Sequence, residues 1–158
     1  MKFENIVKLF QSIKEEWLID SHVDFEFRNK QYTTDLGKLA LEIPFQHNKY
    51  LNYFIDINQV KVSTDFELRR IKKEKTEYYS GEADPKVYAE KPFGASIKTT
   101  EKLKRYLESD EDIINIEAKL EYIKNVLYYL DNIMKMISNR GFQIKSAIDW
   151  EKFINGTT

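Results

Sequence analysis

Eight apolar residues separated alternately by three and four positions restrict this chain more than any other feature: Ile113, Ile116, Leu120, Ile123, Leu127, Leu130, Met134 and Ile137. A mean step of 3.5 keeps side chains along one edge of a helix, whereas a half-buried strand needs a step of two. Every a and d position is apolar, so the segment predicts a helix packed along a coiled-coil-like seam. Periodicity is blind to chain identity. The seam is therefore a candidate oligomerisation core and equally a candidate intramolecular helix pair. Upstream, Ser109 with Asp112 three residues on resembles a capping box, and Asp110, Glu111 and Asp112 complement the positive pole of the helix dipole. Gly141 reads as the end of this helix. Ile144, Ala147, Ile148 and Ile154 mark a short amphipathic helix beyond it.

The rest of the chain reads the same way. Its 158 residues suffice for one domain with a core, and only five Gly and three Pro interrupt a sequence that is 32% charged. That mix favours an all-α fold of long amphipathic helices over a turn-rich β fold. Phe3, Ile6, Val7, Phe10, Ile13 and Trp17 recur at helical spacing. In residues 18–34, Val23, Phe25 and Phe27 alternate like a strand, but no partner run exists, so this is expected to be an irregular or helical connection. Thr34 or Asp35 would cap a short helix through Leu41, and Pro44 suits the first turn of a new one. From Phe45 to Tyr79 there is neither Pro nor Gly, and a helix of that length spans roughly 50 Å, more than a small domain buries. Tyr50, Phe54, Ile57, Leu68, Ile71 and Tyr78 form its stripe, interrupted by Lys61, Thr64 and Lys75. Gly81 supplies a left-handed stop. The organisation expected is a single domain: a helical extension over 1–42, a long helix over 44–80, a loop over 82–98, and a helical part over 99–154 opened by Thr99 or Thr100.

Several functions are unsupported by these residues. Without Cys there is no disulfide, thiolate metal site or thiol catalysis. His22 and His47 lack the spacing of a helical metal site. Neither a phosphate-binding G-x-x-x-x-G-K-[ST] loop nor a G-x-S-x-G elbow is present, so no enzyme, cofactor or metal is expected. No apolar run approaches a membrane span, and the opening MKFENIVKLF lacks the core of a secretory leader; a cytoplasmic protein is expected.

The chain has a net charge of −1, yet residues 69–75 carry a net +4 and residues 108–121 a net −5. On a helical wheel Arg69, Arg70, Lys72 and Lys73 occupy one arc about 160° wide. Leu68, Ile71, Tyr78 and Tyr79 lie opposite, and Lys75 points into the apolar side, where it would snorkel or line a space between subunits. Such faces are commonly just solvated. The functional alternative is phosphate binding, with Tyr78 or Tyr79 stacking a base. Lys98, Lys102, Lys104 and Arg105 form a second basic group.

Three stretches, EYYSG at 77–81, RYLESDED at 105–112 and ISNRGFQIKSAIDW at 137–150, together resemble the UvsY-like recombination mediators of T-even-type phages. PKVYAEKPF at 85–93 and IPFQHNKY at 43–50 resemble the cyanophage-type members. The resemblance covers roughly 43–154; residues 20–34 look like an insertion. It implies a non-enzymatic ring-like homo-oligomer, a hexamer or heptamer. This would bind single-stranded DNA and contact the phage single-strand-binding protein and the RecA-like recombinase UvsX in the infected cell. It places the family's basic motif on Lys73 and Lys75, with lysine at 75 standing where the family has arginine and Lys72 where it has leucine. Attraction to phosphate survives that exchange; the bidentate fork of arginine does not. The expected function is a mediator that helps load the recombinase. Its DNA site would be Arg69, Arg70, Lys72, Lys73, Lys75, Tyr78 and Tyr79, repeated around a ring. A helical oligomeric adaptor without DNA binding is the alternative.

Overall fold

The computed structural model describes residues 3–27, 33–154 and 156, and side chains are not described for 22–27, 33–35 and 151. Among the described residues all regular structure is helical: α1 (Phe3–Phe27), α2 (Thr33–Ser80), α3 (Pro85–Glu90), α4 (Thr100–Glu108) and α5 (Glu111–Ile154). The all-α expectation holds. Within α1 the helix continues through the stretch where alternation suggested a strand. The side chains of Val23, Phe25 and Phe27, and the cap expected at Thr34 or Asp35, lie outside the described residues.

Three expected breaks did not materialise as read. Pro44 lies inside a continuous α2, although an interior proline forgoes one hydrogen bond and costs about 3 kcal/mol in a helix. Gly141 lies inside a continuous α5, and a Cβ built there would meet only Ile43 Cδ1 at 3.8 Å. The segment 82–98 holds the short helix α3, started by Asp84, whose carboxylate accepts from the Lys86 amide, and by Pro85. Packing outweighs local propensity in the two long helices.

The chain divides into two compact units, residues 1–58 with 125–158, and residues 59–124. In the first, α1 and the early part of α2 run antiparallel: Lys49 Nζ pairs with Glu16 (2.9 Å) and Asp20 (3.1 Å), the Tyr50 hydroxyl donates to Asp20 (2.8 Å), and Trp17 meets Tyr50 edge to face. The late part of α5 joins them through Phe10–Tyr129 and Arg140–Gln46. Ile6, Ile13, Leu39, Tyr50, Ile57, Val126, Leu130, Ile133 and Ile137 are buried there. In the second unit the end of α2 runs antiparallel to the start of α5, with α3, α4 and the 91–99 segment around the end of α2.

The heptad residues are buried within one chain. Ile113, Ile116, Leu120, Ile123, Leu127, Leu130 and Ile137 are all buried, and Met134 is half-buried. The residues of the seam expected to join copies are thus covered within the protomer. Val126, Ile133, Arg140 and Ile144 are buried as well. Ile144 continues the heptad register, while Val126, Ile133 and Arg140 recur every seven residues on the flank of the seam, because a helix packed in a globular core buries a wider stripe than the a and d positions alone.

Candidate nucleic-acid interface

The basic stretch lies in the second unit, on the last turns of α2. It stays helical because it lacks Gly and Pro, and because Arg70–Glu74 and Lys73–Glu77 pair loosely one turn apart, each at 3.7 Å. Its inward side is not purely apolar. Thr64 is buried and returns its hydroxyl to the Val60 carbonyl (2.9 Å), and Lys75 is turned inward at 25% exposure. The residues that seemed to interrupt the stripe are therefore partnered within the fold.

Lys75 Nζ sits 2.8 Å from Asp110 and 2.6 Å from Asp112. Burial favours the neutral amine, but the two carboxylates outweigh it and hold the ammonium well above the ordinary lysine range. The Tyr79 hydroxyl donates to the same Asp110 at 2.7 Å, and burial together with that bond pushes the phenol up to about 12. Burial pushes the Asp110 carboxyl upward, yet the bonds from Lys75, Tyr79 and the Ile113 amide prevail and hold it below the usual carboxylate range. Asp110 Oδ1 also accepts from the Asp112 and Ile113 amides, so Asp110 caps α5. Ser109, expected as that cap, instead closes α4, its hydroxyl donating to the Arg105 carbonyl. Lys72 reaches Glu117 at 2.6 Å.

The positive and negative blocks of the sequence thus meet in space. Lys72 and Lys75 are tied to α5. What remains outward on α2 is Arg69, Arg70 and Lys73, with Arg70 and Lys73 side chains 70% and 77% exposed. Arg69 forms no ion pair among the described residues; its guanidinium lies 5.8 Å from the centroid of the Phe66 ring.

Tyr78 and Tyr79 are half-buried in a cluster with Tyr88, Phe93 and Tyr106. Tyr78 stacks on Tyr88 at 5.5 Å and donates to the Lys91 carbonyl. This cluster seals the C-terminus of α2. Gly81, at φ +84°, lets the Glu82 amide reach the Glu77 carbonyl (2.8 Å), while the Tyr88 hydroxyl donates to Tyr78 (2.8 Å). The Ile97 amide donates to Tyr79 and the Ser96 hydroxyl to Ser80. All four carbonyls that a helix end leaves unpaired are satisfied. The two tyrosines expected to stack bases are thus committed to one another's neighbours and to Asp110.

Of the second basic group, Lys98 reaches the Ser80 carbonyl at 3.5 Å and Lys104 pairs with Glu108; Lys102 and Arg105 are exposed. Among the described residues no group of three or more His, Asp or Glu is placed to hold a metal ion, and no helix is long and apolar enough to cross a membrane. Sequence reasoning did not single out Phe66, one turn before Arg69, and it read Asp110 only as part of an acidic run complementing the helix dipole, without its partners Lys75 and Tyr79.

Known proteins share this architecture. Residues 14–157 match the family described as recombination, repair and ssDNA binding protein UvsY. The recombination protein uvsY of Enterobacteria phage T4 is 24% identical over 110 residues, covering 70% of this chain and 77% of that protein. A crystal structure of the bacteriophage T4 recombination mediator protein UvsY superposes with a TM-score of 0.68 at 21% identity, over 97% of this chain and 99% of that one. A second lattice form of that protein gives 0.68 at 22% identity, over 87% and 97%. At these identities the structural likeness is one of fold.

Proposed function

This chain belongs to the UvsY family of recombination, repair and single-stranded-DNA-binding proteins, and from that premise we propose that it is a recombination mediator gripping single strands on the outward face of α2. The observation that carries the reading is the row of Arg69, Arg70 and Lys73, which stays turned outward while Lys72 and Lys75 are held by α5. Lys72 borders the row and is half exposed, so it adds a fourth positive charge near the strand. Lys75, Tyr78 and Tyr79 serve instead to fix the end of α2 on which the row stands.

Each such contact is weak, since exposed loose pairs with Glu74 and Glu77 compete for the same cations. Repetition over a homo-oligomer raises the avidity without any new contact. The first unit offers surface for that assembly: Leu41, Phe45, Phe142 and Phe153 are large, apolar and exposed. A hexameric or heptameric ring acting in the cytoplasm of the infected cell follows from the family resemblance. A strand led around such a ring would be bent away from the path it takes on the single-strand-binding protein, and the RecA-like recombinase would nucleate on the exposed stretch.

The test is titration of labelled oligo-dT at rising salt. The wild-type protein is expected to bind with a steep salt dependence. Joint replacement of Arg69, Arg70 and Lys73 by Ala should make the log–log slope shallower by roughly 0.7 for each phosphate no longer neutralised, with the assembly mass unchanged. An adaptor without a DNA role would take up no oligo-dT at moderate ionic strength. Assembly of the recombinase on strand coated with single-strand-binding protein, with and without this protein, tests the loading role.

A further inference from the structure

We propose that Phe66 is the base-stacking platform of this protein, working beside the cationic row rather than through the tyrosines; the inference rests on the single-strand-binding reading above. Phe66 is 62% exposed on α2, and among the described residues its ring meets no other aromatic ring. Phe66, Arg69 and Lys73 follow at steps of three and four, so they share one helix face, and Arg70 stands beside it. Val62, one turn earlier and also exposed, extends the apolar part of this face. The Arg69 guanidinium lies over the Phe66 ring at 5.8 Å and forms no ion pair among the described residues, while Arg70, Lys72, Lys73 and Lys75 each have a carboxylate within 4 Å.

The chemistry of a single strand asks for this pair of features. Its phosphates need cations, and its unpaired bases present π faces that stack on an aromatic side chain whatever their identity. A guanidinium next to the ring brings a cation to the flanking phosphate and supplies a second planar surface for the neighbouring base. Tyr78 and Tyr79 cannot offer the same, since their rings are engaged with Tyr88, Phe93 and Tyr106.

Stacking and phosphate contact separate experimentally, because only the latter releases counterions. At fixed salt, Phe66→Ala is expected to weaken oligo-dT binding roughly five- to a hundred-fold, with the salt slope unchanged. Phe66→Leu, which keeps bulk without a π face, should lose comparably; Phe66→Trp should retain affinity and show more tryptophan quenching by the strand than wild type. On an abasic oligonucleotide, wild type and Phe66→Ala should bind alike. The proposal is overturned if wild type binds oligo-dT and Phe66→Ala binds as well, or if the deficit persists on the abasic strand. A fall in assembly mass for Phe66→Ala would make Phe66 a contact between copies and overturn it too. Absence of oligo-dT binding by wild type would overturn this inference and the binding reading together.

Discussion

Asp110 holds more of the second unit together than any cation of the basic stretch does. It caps α5, pairs with Lys75 and accepts from Tyr79. Asp110→Ala should therefore cost about 3 kcal/mol in urea unfolding, the sum of a missing cap and a half-buried ammonium left with Asp112 alone. Asp110→Asn keeps the cap and should cost less. Because the folded protein holds this carboxyl below its ordinary value, its contribution is complete above about pH 5, where an unfolded aspartate is ionised, and is lost as pH falls through the folded value. Between pH 7 and pH 2.5 the wild type should lose stability more steeply than Asp110→Asn. Lys75 works in the opposite range: its raised value makes a contribution present below about pH 10 that disappears as pH rises through the folded value. Gly81 is the second residue under strict demand. Alanine there would sit at φ +84° and place its Cβ 2.8 Å from Ser96 Oγ, the hydroxyl that donates to Ser80. Gly81→Ala should cost about 2 kcal/mol, read as a lowered Tm.

At the scale of elements, the two long helices show where local signals yield to packing. Gly141 has room and a helical backbone, so Gly141→Ala should stabilise by about 0.5–1 kcal/mol, read as a raised urea midpoint. The heptad spacing identified α5 as a packed helix but carried no sign of its partner. Leu130 is fully buried within one protomer. Leu130→Ala should thus lower stability by about 2–5 kcal/mol while the mass of the assembly under native conditions stays unchanged. A dissociated but otherwise stable protomer would place the seam between copies instead. Helix α3 escaped notice because its six residues are framed by Pro and Gly that read as a loop, and its stability comes from the Asp84 cap and from Tyr88 docking on the end of α2.

At the scale of the whole molecule, a net charge of −1 conceals two opposite blocks. The fold brings them together, ties Lys72 and Lys75 to α5, and leaves Arg69, Arg70 and Lys73 of the positive block without a partner on α5. If DNA binding runs through those three, Lys75→Ala should reduce thermal stability while leaving the salt slope for oligo-dT intact, whereas Lys73→Ala should do the reverse. A loss of slope with Lys75→Ala would return that residue to the DNA contact. By itself the sequence determined the helical class, the α4 start at Thr99 or Thr100, the Gly81 stop and the apolar face of α5, since each follows from spacing and backbone chemistry within one or two turns. Tertiary structure alone decided that Pro44 and Gly141 do not break their helices, that the heptad seam is filled from within, and that Lys75 and Tyr79 belong to Asp110. Those outcomes depend on which distant segments come to lie alongside, and a side chain's partner across the fold leaves no mark on its own local pattern.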